Sequence, residues 1–180
     1  MNNLKNLSIM LVEDEEALRR ATINFLELYC RRVIPAANGR EALSLFNKEQ
    51  PDLVISDIRM PYMDGLELAT SLKEKAPDMP VILCTAFTET LYLLKAIELG
   101  IAAFVRKPVN TDELLDVINK AALPLLQRLE IRRLSDELTA SLAARLGPGR
   151  SMQGLSEQVT RIAHTSFNIL LEGETGSGKS

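Results

Sequence analysis

The chain has 180 residues, 46% hydrophobic and 25% charged, with a formal net charge of -3. That is room for one domain with a full core and some extra chain, in an ordinary globular composition, and the mild negative charge argues against nucleic-acid binding as its main business. Two cysteines, Cys30 and Cys84, lie far apart in apolar stretches, which reads as reduced thiols in a cytosol rather than a disulfide framework, and no apolar run approaches the roughly 20 residues of a membrane span.

The opening "MNNLKNLSIMLVED" carries one lysine and a short apolar run that ends in acid, the pattern of a first strand and not of a signal peptide. Leu7 to Val12 is that strand. The helix after it is expected to bury Leu18, Ala21, Phe25 and Leu28, which recur at three and four residues. "RVIPAA" reads as a second strand at an edge or an end because of Pro35, and "GREALSLFNKEQ" as a helix. "DLVISD" is an apolar strand ending at Asp57, followed by the helical "DGLELATSLKEKA" and the punctuation of Pro77 and Pro80. "VILCTA" is the fourth strand, "TETLYLLKAIELG" its helix, stopped by Gly100. "AAFVRKP" is the fifth, and "NTDELLDVINKAAL" opens the last helix, capped by Asn110 or Thr111.

Strands alternating with helices predict an α/β fold, a five-stranded parallel sheet with helices on both faces. After Pro124 the character changes. Leu134, Leu138, Leu142 and Leu146 form a stripe at four-residue steps, continuing Leu115, Ile118, Ala122, Leu125 and Leu129 upstream. This is an amphipathic helix with an imperfect heptad, either a solvated connector or a dimerising linker. Arg128, Arg132 and Arg133 alternate with Glu130 and Asp136, as on a solvated helix face rather than a DNA contact. "GPGRS" then ends the helix, and "MQGLSEQVTRIAHTS" and "FNILLEG" read as a further helix and strand.

Ligands of open parallel sheets sit beyond the carboxyl ends of the strands. The first strand ends in Glu13-Asp14, the third in Asp57 and the fourth in Thr85, and the fifth reaches Lys107-Pro108. Each residue has an ordinary reading alone: acids favour the start of a helix, and Asp57 opens a turn-rich segment. Together they converge. Carboxylates that share a small site repel and need a cation, and all-oxygen ligands suit Mg2+. A lysine and a hydroxyl beside them would grip phosphoryl oxygens, the constellation that phosphoryl transfer to a carboxylate needs. Cys84 reads as packing in a buried strand. His164, the only histidine, has no partner acid or cysteine in sequence and reads as bland.

"VED", "DLVISDIRMPYMDG", "CTA" and "AFVRKP" resemble the receiver domain of two-component response regulators over roughly residues 5 to 123. The resemblance implies a flavodoxin-like sheet of strand order 2-1-3-4-5. It implies that Asp57 accepts a phosphoryl group from a sensor histidine kinase. Mg2+ would be held by Asp14, Asp57 and the backbone carbonyl of Arg59, with Glu13 acting through a bound water. Thr85 and Lys107 would hold the phosphoryl oxygens. Phe104 matches the aromatic switch position, filling the space that Thr85 vacates and altering the face of the fourth helix, fifth strand and fifth helix. It also implies a cis Lys107-Pro108 bond. Pro61 and Gly65 would shape the turn after Asp57, and Phe87 would shield the phosphoryl group and slow its loss.

"LLEGETGSGKS" contains the phosphate-cradling pattern G-x-x-x-x-G-K-[ST], at Gly173, Gly176, Gly178, Lys179 and Ser180, after an expected strand. The helix that would complete such a loop is absent, so ATP hydrolysis is not expected of this chain, and ATP is a cofactor only of a longer protein. The order receiver, linker (124–146) and P-loop stub (147–180) resembles the front of a nitrogen-regulation (NtrC) type activator of sigma-54 RNA polymerase. That resemblance implies a cytoplasmic regulator, itself not an enzyme beyond its own phosphoryl transfer. It further implies a homodimer through the linker or the switch face, and effects on polymerase and enhancer DNA through an AAA+ ATPase and a DNA-binding domain lying mostly or wholly outside the chain. The alternatives are ATPase activity through Lys179, or a pure dimerisation module.

Overall fold

The computed structural model describes residues 3–86 and 97–146. A short 3-10 helix (Asn3–Asn6) leads into β1 (Ser8–Val12), α1 (Glu16–Leu26), β2 (Arg32–Ala36), α2 (Gly39–Glu49), β3 (Leu53–Asp57), α3 (Gly65–Lys75), β4 (Val81–Thr85), β5 (Ala103–Arg106) and a long helix, α4 (Thr111–Leu146). All strand pairs are parallel, in the order β2-β1-β3-β4-β5. All five expected strands form, and the sheet has the expected flavodoxin-like order.

Strand alternation sorts the core. Successive side chains point to opposite faces. Ile9, Leu11, Leu53, Ile55, Ile82 and Cys84 join one cluster, with Leu26 of α1 and Leu114, Ile118 and Ala122 of α4. Met10, Val12, Val54, Val81 and Leu83 join the other, with Ala42 and Phe46 of α2 and Leu66, Leu68, Ala69 and Leu72 of α3. β1, β3 and β4 have helices on both sides, which is why their sequences are continuous apolar runs. β2 pairs only with β1, so Pro35 lies on an edge strand, as expected.

Three helices begin on a side-chain cap. Asn38 Oδ1 accepts from Glu41 N–H at 3.0 Å. Asp64 Oδ1 accepts from Leu66 and Glu67 N–H, both at 2.8 Å, and Glu67 returns the favour by accepting from Asp64 N–H. Asn110, not Thr111, caps α4, accepting from Asp112 and Glu113 N–H at 2.9 and 3.1 Å. α1 has no side-chain cap at Glu15.

One expectation needs correction. Leu26 is the buried residue of α1, continued by Cys30, with Ile23 and the expected Phe25 partly buried against the same cluster and the expected Leu18 half-buried. Ala21 is exposed, and Leu28 is 65% exposed. The helix stops at Leu26, so Leu28 falls in a turn where helical spacing no longer decides what is buried. α4 runs through Pro124, as the apolar positions continuing from Leu115 to Leu146 imply, at the cost of the one main-chain hydrogen bond that proline cannot donate.

Most of the segment expected as the fourth helix (88–99) lies outside the described residues. Its end is present: Gly100 has φ +64 and donates its N–H to the Ile97 carbonyl. That is the stop expected of a glycine, the residue that adopts this backbone most easily. Phe87, His164 and the P-loop residues Gly173, Gly176, Gly178, Lys179 and Ser180 also lie outside the described residues, as do the side chains of Leu142 and Leu146. Met1–Gln127 forms one compact unit and Arg128–Ser180 a second, of which 128–146 is described. In that stretch Leu134 and Leu138 are each 51% exposed, and Arg133 pairs with Glu130 and Glu137, both at 2.8 Å.

Candidate functional site

Sheet register builds the site. Val12 lies opposite Ser56, so Glu13, one residue on, comes level with Asp57 at the end of β3. Asp57 in turn lies opposite Cys84, and Thr85 opposite Arg106. Lys107 N–H donates to the Thr85 carbonyl at 2.8 Å, which fixes the lysine just past the end of β5. The carboxyl ends of four strands therefore deliver Glu13-Asp14, Asp57, Thr85 and Lys107 to one edge.

Three of these residues form a tight group. Glu13, Asp14 and Asp57 each offer a carboxylate oxygen, and these atoms lie within 4.8 Å of one another. Glu13 and Asp57 are buried, and Asp14 is exposed. The Lys107 ammonium donates to Asp57 Oδ2 at 2.7 Å and to Glu13 Oε2 at 3.0 Å. The other Asp57 oxygen, Oδ1, accepts from Ile58 N–H at 2.7 Å. Lys107 bonds two of the three carboxylates, and three acids this close together favour a further cation. All-oxygen donors of this kind match a hard divalent ion such as Mg2+, which takes one or two carboxylates and completes its shell with water or phosphate.

The electrostatics follow from burial. Burial raises the Glu13 carboxyl above its ordinary pKa, the hydrogen bond and charge of Lys107 oppose the rise, and the Asp57 charge adds to it. Burial would depress the Lys107 ammonium, but its bonds to Asp57 and Glu13 and their charges outweigh that and hold it above its ordinary value. The Cys84 thiol, walled into β4, is pushed up to about 12, first by burial. It is a packing residue, as its strand position implies.

The loop after Asp57 is held close. Gly65 N–H donates to the Ile58 carbonyl at 2.9 Å, and a Cβ at Gly65 would run into the Asp57 carbonyl oxygen, so only glycine lets α3 start here. Arg59 and Pro61 are exposed on this loop. Tyr62 sits at φ +70 in a three-residue turn that Met63 N–H closes onto the Pro61 carbonyl at 2.9 Å. The Lys107-Pro108 bond is cis. Thr85 and Phe104 are both half-buried. Phe104 is paired with Leu83 and packs on the same cluster as it, and strand alternation sets Thr85 on that face too.

One contact was not foreseen from sequence. Arg19 Nη1, on α1, donates to the Glu13 carbonyl at 2.6 Å and to the Asp14 carbonyl at 3.3 Å. An arginine five and six residues after an acid pair is the only trace this leaves in the sequence. Its acceptors are main-chain atoms, which sequence patterns do not mark.

Residues 9–119 match the family model described as the response regulator receiver domain. The C4-dicarboxylate transport transcriptional regulatory protein DctD of Pseudomonas aeruginosa is 36% identical over 95% of this chain and 38% of its own length. The regulatory protein AtoC of Escherichia coli is 34% identical over the same two shares. The DNA-binding transcriptional regulator NtrC of Proteus hauseri is 30% identical over 96% of this chain and 36% of its own. The chain thus spans little more than a third of these curated relatives. Among solved structures, the N-terminal domain of an uncharacterized protein from Wolinella succinogenes is similar with TM-score 0.64 and 34% identity, covering 68% of this chain and 98% of that one. A response regulator receiver domain protein from Clostridium thermocellum has TM-score 0.64 and 27% identity over 67% and 98%. No helix among the described residues is long and apolar enough to cross a membrane. With the acidic cluster at the carboxyl edge of a 2-1-3-4-5 sheet and a family match over residues 9–119, the chain belongs to the response regulator receiver domain family.

Proposed function

We propose that Asp57 is the phospho-acceptor of this receiver and that its modification controls an attached transcription-activating ATPase of the sigma-54 class. The observation that carries the first half is the grouping of Glu13, Asp14 and Asp57 within 4.8 Å, with Lys107 bonded to two of them. The donor is a phosphohistidine on a sensor kinase. The N–P bond of the donor breaks as an Asp57 oxygen forms the O–P bond, and the histidine leaves as neutral imidazole after taking up a proton. Ile58 N–H and the Lys107 ammonium hold the acceptor carboxylate in place through its two oxygens.

Asp14 and Asp57, with the Arg59 carbonyl and a Glu13-bound water, would hold Mg2+, whose role is to neutralise charge on the transferring group and the attacking oxygen. Lys107 then exchanges its carboxylate partners for phosphoryl oxygens, and the Thr85 hydroxyl supplies a second donor. Modification adds about 1.5 to 2 negative charges at Asp57. Thr85 drawn toward that charge leaves room for Phe104 on the same face, and this pair is the two-state element.

Full-length relatives extend well past this chain, so its output is carried by domains beyond the receiver. The exposed Leu134 and Leu138 fit a homodimer through α4. ATP would bind in the P-loop of a complete ATPase domain, with polymerase and enhancer DNA engaged by the longer protein. The chain acts in the cytoplasm and catalyses nothing beyond its own phosphorylation and dephosphorylation. The test is labelling by acetyl phosphate or phosphoramidate with Mg2+, followed by intact mass. One phosphoryl group is expected on the wild type and none on Asp57→Asn. A variant that still takes up one phosphoryl group sinks the assignment. Light scattering with and without beryllofluoride and Mg2+ then reads whether the site controls association.

A further inference from the structure

We infer that Arg19 is a positioning residue for the cation site, acting through the main chain of the loop that carries Glu13 and Asp14. The inference rests on the metal-site reading above. α2, α3 and α4 each begin on a side-chain cap, from Asn38, Asp64 and Asn110. α1 does not: its N-cap residue Glu15 makes no side-chain cap bond. The turn between β1 and α1 is the one that delivers two of the three clustered acids, and it lacks the usual tie. Arg19 supplies another. From one turn inside the helix its guanidinium reaches back to the Glu13 carbonyl at 2.6 Å and the Asp14 carbonyl at 3.3 Å. The link to Glu13 is half-buried, and Arg19 N–H bonds the Glu15 carbonyl at 2.8 Å, so backbone and side chain of one residue both anchor the turn.

The arrangement is an outer-shell support: it touches no ligand atom but fixes the backbone from which two ligand carboxylates project, a kind of partner whose loss commonly weakens metal binding. It also makes an opposite prediction to simple charge. Arg19 is a cation near a cation site. Coulomb repulsion alone says that removing it tightens Mg2+ binding. Positioning says that removing it loosens binding. The sign of the change decides.

The experiment is calorimetric titration of the 180-residue chain with Mg2+, with thermal melting in EDTA to confirm folding. Arg19→Ala is expected to bind Mg2+ about tenfold more weakly than wild type. Arg19→Lys, which keeps the charge and a donor but not the forked geometry, should recover part of that loss. Arg20→Ala, which removes the same charge from the adjacent exposed position, should bind Mg2+ as wild type does or slightly tighter. If Arg19→Ala does not fold, the comparison of Arg19→Lys with wild type carries the test, with weaker binding expected. Equal or tighter binding by Arg19→Ala, or by Arg19→Lys where it stands in, overturns the positioning role while leaving the metal site intact. Failure of the wild type to bind Mg2+ overturns the metal-site reading itself, a result told apart by the wild-type titration alone.

Discussion

The two edges of the sheet hold similar residues and treat them differently. Asp52 stands just before β3 and Asp57 ends it. At the amino edge, Asp52 Oδ2 accepts from Ser8 N–H at 2.7 Å, Arg31 lies 3.8 Å from the same oxygen, and Arg31 also donates to Ser8 Oγ at 2.7 Å. One acid meets one base, and the group closes neutral. At the carboxyl edge, three carboxylates gather, and among the described residues Lys107 is bonded to two of them. The first edge fastens strands together, and the second gathers acids that favour a further cation at the end where open parallel sheets bind ligands. An acid on this fold is therefore read by how completely its neighbours neutralise it, not by its presence in a strand.

The largest way to break the contrast is in cation binding. Asp14→Ala should weaken Mg2+ binding by about a hundredfold, since it removes a ligand from a small octahedral ion. Asp52→Asn should leave Mg2+ affinity unchanged and cost about 1 kcal/mol of stability through its hydrogen bond to Ser8. Calorimetric titration and urea unfolding of both variants separate the edges, and a loss of Mg2+ affinity in Asp52→Asn would show them to be coupled.

Next in size is Lys107. Replacing it with methionine removes the ammonium bonded to both the buried Glu13 and Asp57. Breaking a buried pair from one side costs about 3 kcal/mol or more, and partial exposure of the lysine trims this to about 2. In EDTA the variant should unfold at correspondingly lower urea. Adding Mg2+ should restore more stability to the variant than it adds to wild type, because the ion neutralises the same pair. Equal gains in both proteins would mean that the lysine and the ion do not share partners.

Much of this was legible in the sequence because two signals are local. Five short apolar runs give the strands, and the acids, hydroxyl and lysine at the ends of four of those runs mark the functional edge. What escaped depends on things that sequence does not display. Leu26 takes the buried position of α1 and the stripe does not extend to Leu28, because the helix ends earlier than the apolar spacing does. Arg19 was invisible because it binds carbonyl oxygens, which every residue has.

A smaller effect should appear at high pH. Cys84 is pushed up to about 12 by burial, against an unfolded thiol near about 8.5. An acid whose pKa is raised by folding contributes stability that is whole below the unfolded value and is lost as pH rises toward the folded one. Wild type should therefore lose about 1 kcal/mol relative to Cys84→Ala between pH 8 and pH 9.5. Urea unfolding at the two pH values reads it, and a gap that stays constant would mean that the thiol ionises as readily folded as unfolded.

The smallest prediction returns to the edges through backbone strain. Gln50 and Tyr62 are the non-glycine residues with positive φ among those described, at +46 and +70. Gln50 ends α2 in the left-handed form common at helix ends, its N–H bonding the Phe46 carbonyl at 3.0 Å, on the chain leading to the amino edge. Tyr62 is 76% exposed, at the centre of a rarer turn on the loop that leaves Asp57. Left-handed backbone costs a non-glycine residue about 1 kcal/mol, partly offset when glycine replaces it by the greater freedom glycine has when unfolded. Gln50→Gly and Tyr62→Gly should each raise stability by about 0.5 kcal/mol. Only Tyr62→Gly should also change the rate of labelling by phosphoramidate, because its turn sets the path of the loop between Asp57 and α3. Equal stability gains with no change in rate would show that strain beside the site is a by-product of a tight turn, no more tied to function than the helix end at Gln50.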